Sequence, residues 1–236
     1  TMSRIQQTFD TLAAAKRTGL IAYVTGGDPN MDASARVIRA IDRGGADIVE
    51  VGVPYSDPLA DGPVIQRASE RALAAGATLA STLDLIGAVR GTVRAPIVLF
   101  TYANPIHRMG YRAFARRAAD AGVDGVLTLD LPPEEMGDLH PLLRDAGLDV
   151  IFLVSPTTTA DRIRLAGRLG SGFVYVVSRL GVTGARTELS AGIEPLVARV
   201  RRGASLPVAV GFGISKPDQV RDVGRWADAA VVGSAL

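Results

Sequence analysis

Short and almost continuously apolar runs recur along the whole chain and alternate with amphipathic stretches. Such runs predict parallel strands that helices cover on both faces, because a strand with one solvent-exposed face would alternate apolar and polar residues. Strands are predicted at 20–25, 47–53, 96–102, 125–130, 149–154, 173–178, 207–212 and 229–233, and helices at 33–43, 111–121, 133–146 and 216–224 among others. Eight strands with intervening helices favour an α/β closed barrel, the (β/α)8 or TIM barrel, over an open doubly wound sheet, which usually has fewer strands.

A short motif before alternate strands supports a barrel assembled from similar units. Gly45-Ala46-Asp47 precedes the second predicted strand, Gly122-Val123-Asp124 the fourth, and Ala227-Asp228 the eighth. The chain has 236 residues, of which 47% are hydrophobic, and no linker or change of composition divides it. Because a barrel typically needs roughly 250 residues, we expect residues 1–236 to form one barrel domain.

Charge and composition exclude several classes of partner. The 26 basic and 24 acidic residues nearly balance, and no basic run or aromatic stripe indicates a nucleic-acid-binding protein. Cysteine is absent, so disulfides and thiolate metal sites are excluded. No apolar run approaches the roughly 20 residues that span a bilayer, and the start of the chain does not resemble a signal segment. We expect a soluble, cytoplasmic protein that binds neither membranes nor nucleic acid.

Glu50 is the first candidate for chemistry, because it lies inside the apolar run of the second predicted strand. A carboxylate placed there is unfavourable unless it is paired, since desolvation penalises its charged form. It could point outward and form an ion pair with a covering helix. We favour a catalytic role, because buried carboxylates without an evident partner tend to mark active sites and a raised pKa suits a proton donor.

The loop PYSDPLADGP at 54–63 follows the same strand and carries the second candidate, Asp61. Barrel enzymes place their chemistry in loops at the carboxyl ends of the strands. Asp61 is close enough in sequence to share a site with Glu50, whereas Asp57 is expected only to cap the turn. The loop position of Asp61 does not by itself decide between catalysis and capping.

Glycine-bearing segments follow the last three predicted strands. The segment SRLGVTG at 178–184 suits a lid that closes over a ligand. Gly211-Phe212-Gly213 follows the seventh strand and Gly233-Ser234 the eighth, which is where barrels commonly bind a phosphate through backbone amides. These segments predict a small phosphorylated substrate.

The residues also exclude some mechanisms. The only lysines, Lys16 and Lys216, lie in or beside predicted helices, so a Schiff-base lysine inside the barrel is not expected. The only histidines, His107 and His140, are far apart and do not form a metal-binding cluster. Acid–base catalysis by carboxyl groups is the chemistry that remains.

The motifs resemble those of the tryptophan synthase alpha-subunit family. The resemblance lies in VEVGVPYSDPLADGPVIQRASERALAAG at 49–76 and in YVTGGDP, TYANPI, DLPPEE, YVVSRLGVTG and GFGISKPDQV further along the chain, and it extends from about residue 3 to residue 236. The resemblance implies a lyase that splits indole-3-glycerol phosphate into indole and glyceraldehyde 3-phosphate as part of tryptophan biosynthesis.

The resemblance also implies roles for individual residues. Glu50 matches the catalytic glutamate of the family, Asp61 the aspartate of its A-D-G-P loop, and Tyr175 a tyrosine that lines the site near the glutamate. Thr183 matches a lid threonine that meets the aspartate on closure. The phosphate-binding positions correspond to Gly184, Phe212, Gly213, Gly233 and Ser234. The indole pocket corresponds to Tyr23, Ile65, Phe100, Leu127, Leu153 and Val231, for which plain packing of the barrel core is the alternative.

The family further implies a partner, a pyridoxal-phosphate-dependent beta subunit in an alpha2-beta2 complex, with no cofactor in this chain. Docking is expected through the rim at 54–62 and around Asn104 and Pro132.

Two alternatives remain: a free-standing lyase with the same chemistry, and a non-catalytic barrel that binds a phosphometabolite. The sequence stops at Leu236, directly after the eighth predicted strand, so we expect the last barrel helix to be missing and the full polypeptide to be longer.

Overall fold

A closed barrel of eight parallel strands forms the centre of the molecule, as the apolar pattern predicts. The computed structural model describes residues 2–59, 61–177, 192–211 and 213–236. Each strand pairs with the next one along the chain, and the last pairs with the first. The strands are β1 (Gly19–Thr25), β2 (Ile48–Gly52), β3 (Ile97–Thr101), β4 (Gly125–Thr128), β5 (Asp149–Val154), β6 (Val174–Val177), β7 (Val208–Gly211) and β8 (Ala229–Val232).

Helices surround the barrel and cover the outward side chains of the strands. They are α1 (Arg4–Ala14), α2 (Met31–Arg43), α3 (Pro63–Ala74), α4 (Leu79–Arg90), α5 (Ala103–Met109), α6 (Tyr111–Asp120), α7 (Leu139–Asp145), α8 (Ala160–Leu169), α9 (Ile193–Gly203) and α10 (Pro217–Val223). Among the described residues no single helix is long and apolar enough to cross a membrane. Only α3 and α4 counted together reach the required length and apolarity, and they meet at a bend of 94°.

The single helix predicted at 133–146 is wrong. The structure instead has a 3-10 turn at Pro133–Glu135 and a separate short helix, α7. Gly137 lies between them with a φ of +42°, a left-handed conformation that a right-handed helix cannot include. Residues 233–236, which follow β8, contain no helix.

Helix α1 closes the amino-terminal end of the barrel. Its buried residues Ile5, Phe9 and Leu12 pack into the cluster of side chains that fills the barrel interior. Ile5 and Leu12 lie against Gly125 and Gly19, which are the first residues of β4 and β1. With this end closed, a ligand can enter the interior only from the carboxyl ends of the strands.

The recurring aspartates of the sequence tie neighbouring strands together at the closed end. Asp47 donates its backbone N–H to the Leu20 carbonyl, and its carboxylate accepts the Leu20 N–H at 2.8 Å. The same pair of bonds joins Asp124 to Ile97 and Asp228 to Val208. Each carboxylate also pairs with an arginine, which is Arg17, Arg90 or Arg201 respectively. Before β6 the Ser171 hydroxyl takes the place of the carboxylate and accepts the Val150 N–H at 3.0 Å.

Candidate active site

Glu50 lies at the centre of β2, and its side chain faces the barrel interior rather than a covering helix. It is in register with Tyr23 of β1 and Val98 of β3, both of which belong to the interior cluster. The residue is 1% exposed, and neither carboxyl oxygen has a hydrogen-bond partner among the described residues. Burial raises the pKa of Glu50 to about 8. The carboxyl is therefore mostly protonated at neutral pH and can act as a proton donor.

Asp61 is buried in the loop that follows β2, although it lies outside any helix or strand. Its backbone is held on both sides, since its N–H donates to the Pro58 carbonyl and its carbonyl accepts the Gln66 side-chain amide at 2.8 Å. Its carboxylate accepts a hydrogen bond of 3.3 Å from the Tyr102 hydroxyl. Burial raises the pKa of Asp61 to about 6, and the bond from Tyr102 lowers it. Asp61 is therefore mostly ionised at neutral pH.

The two carboxyl groups line one pocket at the open end of the barrel. Of the residues proposed from the sequence, this pocket brings together Glu50, Asp61, Tyr23, Ile65, Phe100, Tyr175, Gly213, Val231, Gly233 and Ser234. The lining combines two carboxyl groups, apolar and aromatic side chains, and small residues after β7 and β8. The arrangement suits an aromatic group attached to a polar tail.

Two tyrosines shape the pocket because each ring lies across a glycine of the next strand. A Cβ at Gly52 would lie 2.1 Å from the Tyr23 hydroxyl, and one at Gly211 would lie 2.3 Å from the Tyr175 hydroxyl. Only glycine leaves room for these rings. Burial raises the pKa of Tyr23 and of Tyr175 well above the ordinary value, so both hydroxyls stay neutral.

The remaining predicted residues fall elsewhere. Leu127 is completely buried, and Leu153, which is half-buried, packs against the same interior cluster. Both belong to the filling of the barrel and are not part of the pocket lining. Thr183, Gly184 and Phe212 lie outside the described residues.

Two residues at the site were missed by reasoning from the sequence. Tyr102 directly follows β3 and donates to Asp61, and Ile214 lines the pocket beside Gly213. A signal for Tyr102 was available, since it is an aromatic residue at the carboxyl end of a barrel strand. Within the described ranges, no group of three or more histidine, cysteine, aspartate or glutamate side chains is arranged to hold a metal ion.

Comparisons with known proteins agree with this geometry. The family model described as tryptophan synthase alpha chain matches residues 9–236. The tryptophan synthase alpha chain of Solibacter usitatus is 51% identical over 235 residues, which cover 100% of this chain and 88% of the relative. That of Burkholderia thailandensis is 52% identical, with 100% and 87% covered.

Solved structures give the same result. A chain of Mycobacterium tuberculosis tryptophan synthase superposes with a TM-score of 0.93 at 41% identity, covering 100% of this chain and 90% of that one. The alpha subunit from Legionella pneumophila superposes with a TM-score of 0.89 at 36% identity, covering 100% and 87%. The chain therefore belongs to the tryptophan synthase alpha chain family.

Proposed function

We propose that this chain cleaves indole-3-glycerol phosphate, the lyase reaction of its family, in the pocket that Glu50 and Asp61 share. The observation that supports this most strongly is the contrast between the two carboxyl groups. Glu50 has no hydrogen-bond partner among the described residues and a pKa of about 8, whereas Asp61 is bonded by Tyr102 and has a pKa of about 6. Two carboxyl groups whose environments separate their pKa values can hold different protonation states at one pH, one as a proton donor and the other as a charge-stabilising anion.

The proposed chemistry uses both protonation states. Glu50 gives its proton to C3 of the indole ring, and positive charge develops on the ring nitrogen. Ionised Asp61 accepts the indole N–H and stabilises that charge. The Glu50 carboxylate then takes the proton of the adjacent glycerol hydroxyl, the bond from C3 to the glycerol carbon breaks, and its electron pair restores the aromatic ring. Indole and an aldehyde leave, and Glu50 is protonated again.

The substrate is oriented by the rest of the pocket. We assign the indole ring to the apolar wall formed by Tyr23, Ile65, Phe100, Tyr175 and Val231. The phosphate is assigned to the segments after β7 and β8, where Gly213, Gly233 and Ser234 line the pocket. Barrels commonly bind phosphate at this place, and binding so far from the breaking bond positions that bond against the carboxyl groups. Thr183, Gly184 and Phe212 are proposed to complete the site on the strength of the sequence alone.

We further propose that the chain docks on a beta subunit through the rim of the open end. The rim carries Leu59, whose side chain is 88% exposed in the loop after β2, and the exposed Asn104 at the start of α5. Exposed apolar side chains bordered by polar residues are typical of protein interfaces. Pyridoxal phosphate is expected in that partner and no cofactor in this chain, because both proton transfers are assigned to Glu50. We expect both proteins in the cytoplasm, where phosphorylated metabolites are retained.

The decisive assay measures indole release from indole-3-glycerol phosphate by the purified chain, with and without a beta subunit. We expect weak release that the partner accelerates, and loss of turnover by about 10²-fold or more in Asp61→Asn, which keeps the shape but not the charge. Full turnover without any response to the partner would favour the free-standing lyase. Binding of the substrate without any indole release would favour the non-catalytic barrel.

A further inference from the structure

Tyr102, which directly follows β3, contacts the loop after β2 that carries Asp61. The residue is 5% exposed, and its hydroxyl donates to Oδ2 of Asp61 at 3.3 Å. Its ring stacks on that of Tyr55, with ring centres 4.6 Å apart and an interplanar angle of 26°. Tyr55 belongs to the same loop as Asp61, so this loop contacts Tyr102 both through a ring and through a carboxylate.

We propose that Tyr102 is a positioning residue for Asp61, and that the ring of Tyr55 holds Tyr102 in the orientation that makes this hydrogen bond. The inference rests on the proposed function of Asp61 as the acceptor of the indole N–H. Tyr102 does not line the pocket, so its effect on the reaction passes through the Asp61 carboxylate.

The hydrogen bond matters because the surroundings of Asp61 oppose its ionisation. Burial raises its pKa, and the titratable groups that share the pocket are Glu50, Tyr23 and Tyr175, none of which is a cation. The bond from Tyr102 acts in the other direction and favours the carboxylate. Without it, Asp61 would hold its proton up to a higher pH, and while protonated it would carry no charge to stabilise the ring.

The stack matters because it restricts the hydroxyl donor. A tyrosine hydroxyl at the end of a strand can reach Asp61 only if its ring stays in one rotamer, and an aromatic neighbour at 4.6 Å limits the alternatives. The Tyr55 hydroxyl is in turn 3.5 Å from the side-chain amide of Asn104. That contact lies at the exposed rim and involves neither Tyr102 nor Asp61.

The test compares kcat/KM against pH for wild type, Tyr102→Phe and Tyr111→Phe, using the full chain with its beta subunit. Tyr102→Phe keeps the ring and its stack but removes the donor. We expect its acid limb to move up by about half to one pH unit, because the 3.3 Å bond is longer than a typical O–H to carboxylate bond. That shift lowers kcat/KM about two- to fivefold near pH 6 and hardly at all near pH 8. Tyr111→Phe removes the hydroxyl of a tyrosine that does not line the pocket, and it should match wild type.

Variants of Tyr55 separate the ring from the hydroxyl. Tyr55→Phe keeps the stack and should retain the wild-type acid limb, whereas Tyr55→Leu should move that limb in the same direction as Tyr102→Phe. An unchanged acid limb in Tyr102→Phe overturns the proposal, and so does an equal loss at every pH, which would indicate a purely structural role.

A second readout does not depend on turnover. The carbon-13 chemical shift of the Asp61 carboxyl, followed against pH, should give a higher pKa in Tyr102→Phe than in wild type, and equal values overturn the proposal. If wild type releases no indole but the two titrations still differ, the proposed function fails while the assignment of Tyr102 stands.

Discussion

Replacing Glu50 with glutamine should stabilise the protein near neutral pH while it removes the proton donor. The carboxyl is 1% exposed, and burial raises its pKa from 4.5 to about 8. Between these pH values the folded protein holds a proton that the unfolded chain has released. The free energy of unfolding of the wild type therefore falls as the pH rises from about 4.5 to about 8, and Glu50 adds no further loss above that range.

The magnitude follows from the separation of the two pKa values. Glu50 lowers the free energy of unfolding by about 3 kcal/mol at pH 7 and by less than about 1 kcal/mol at pH 5. Glutamine has the same shape and cannot ionise, so Glu50→Gln lacks this pH-dependent loss. We expect the variant to gain about 2–3 kcal/mol relative to wild type between pH 5 and pH 7.

Urea unfolding, monitored by circular dichroism at several pH values between 5 and 8, measures this gain in the free energy of unfolding. Indole release measures turnover. Glu70→Gln on the exposed face of α3 is the matched control and should run parallel to wild type. Turnover of Glu50→Gln should fall by about 10²-fold or more. A difference in the free energy of unfolding that stays constant from pH 5 to pH 8 would refute the raised pKa of Glu50 in the folded protein. Near-normal turnover would refute the role of Glu50 as the acid.

Three further outcomes test the same structure. The plot of kcat/KM against pH should be bell-shaped with limbs near pH 6 and pH 8, because Asp61 must be ionised and Glu50 protonated, and a profile with one limb would contradict the pair. Gly52→Ala should lower the free energy of unfolding by about 1–3 kcal/mol in urea melts, since the added Cβ would lie 2.1 Å from the Tyr23 hydroxyl. Asp124→Ala should lower it by about 2–4 kcal/mol, because it removes the carboxylate partner of the Ile97 N–H and of Arg90, and a change below about 1 kcal/mol would show that these bonds are dispensable.

The barrel could be predicted from the sequence because its signal is repeated eight times. Each strand needs apolar residues on both faces, so each appears as a short apolar run. The run at 149–154, for example, has the same bounds as the observed strand β5. The helix predicted at 133–146 failed for a local reason. Its composition is compatible with a helix, but Gly137 adopts a left-handed conformation that the sequence permits without requiring.

The site could be predicted only in part. Glu50 was identifiable because a carboxylate interrupts an apolar run, and the structure places it in the pocket. Tyr102 gave a weaker signal, an aromatic residue at the carboxyl end of a barrel strand, and its partner Asp61 is 41 residues away in the chain. Leu127 and Leu153 show a further limit. Alternation along a strand indicates which side chains face the interior, but the depth of each in the barrel depends on the stagger between strands, which a single sequence does not contain.

The proposed mechanism requires different protonation states of the two carboxyl groups in one pocket, Glu50 and Asp61. A residue that must deliver a proton to carbon has to hold it at neutral pH, and burial of Glu50 without a hydrogen-bond donor among the described residues achieves this. A residue that must stabilise positive charge has to stay ionised in the same apolar surroundings, and for Asp61 the hydrogen bond from Tyr102 favours that state. Exchanging the two environments would leave an ionised group beside the carbon and a neutral one beside the nitrogen. In the proposed mechanism, the hydrogen bond from Tyr102 thus widens the difference in pKa between the acid and the charge-stabilising group.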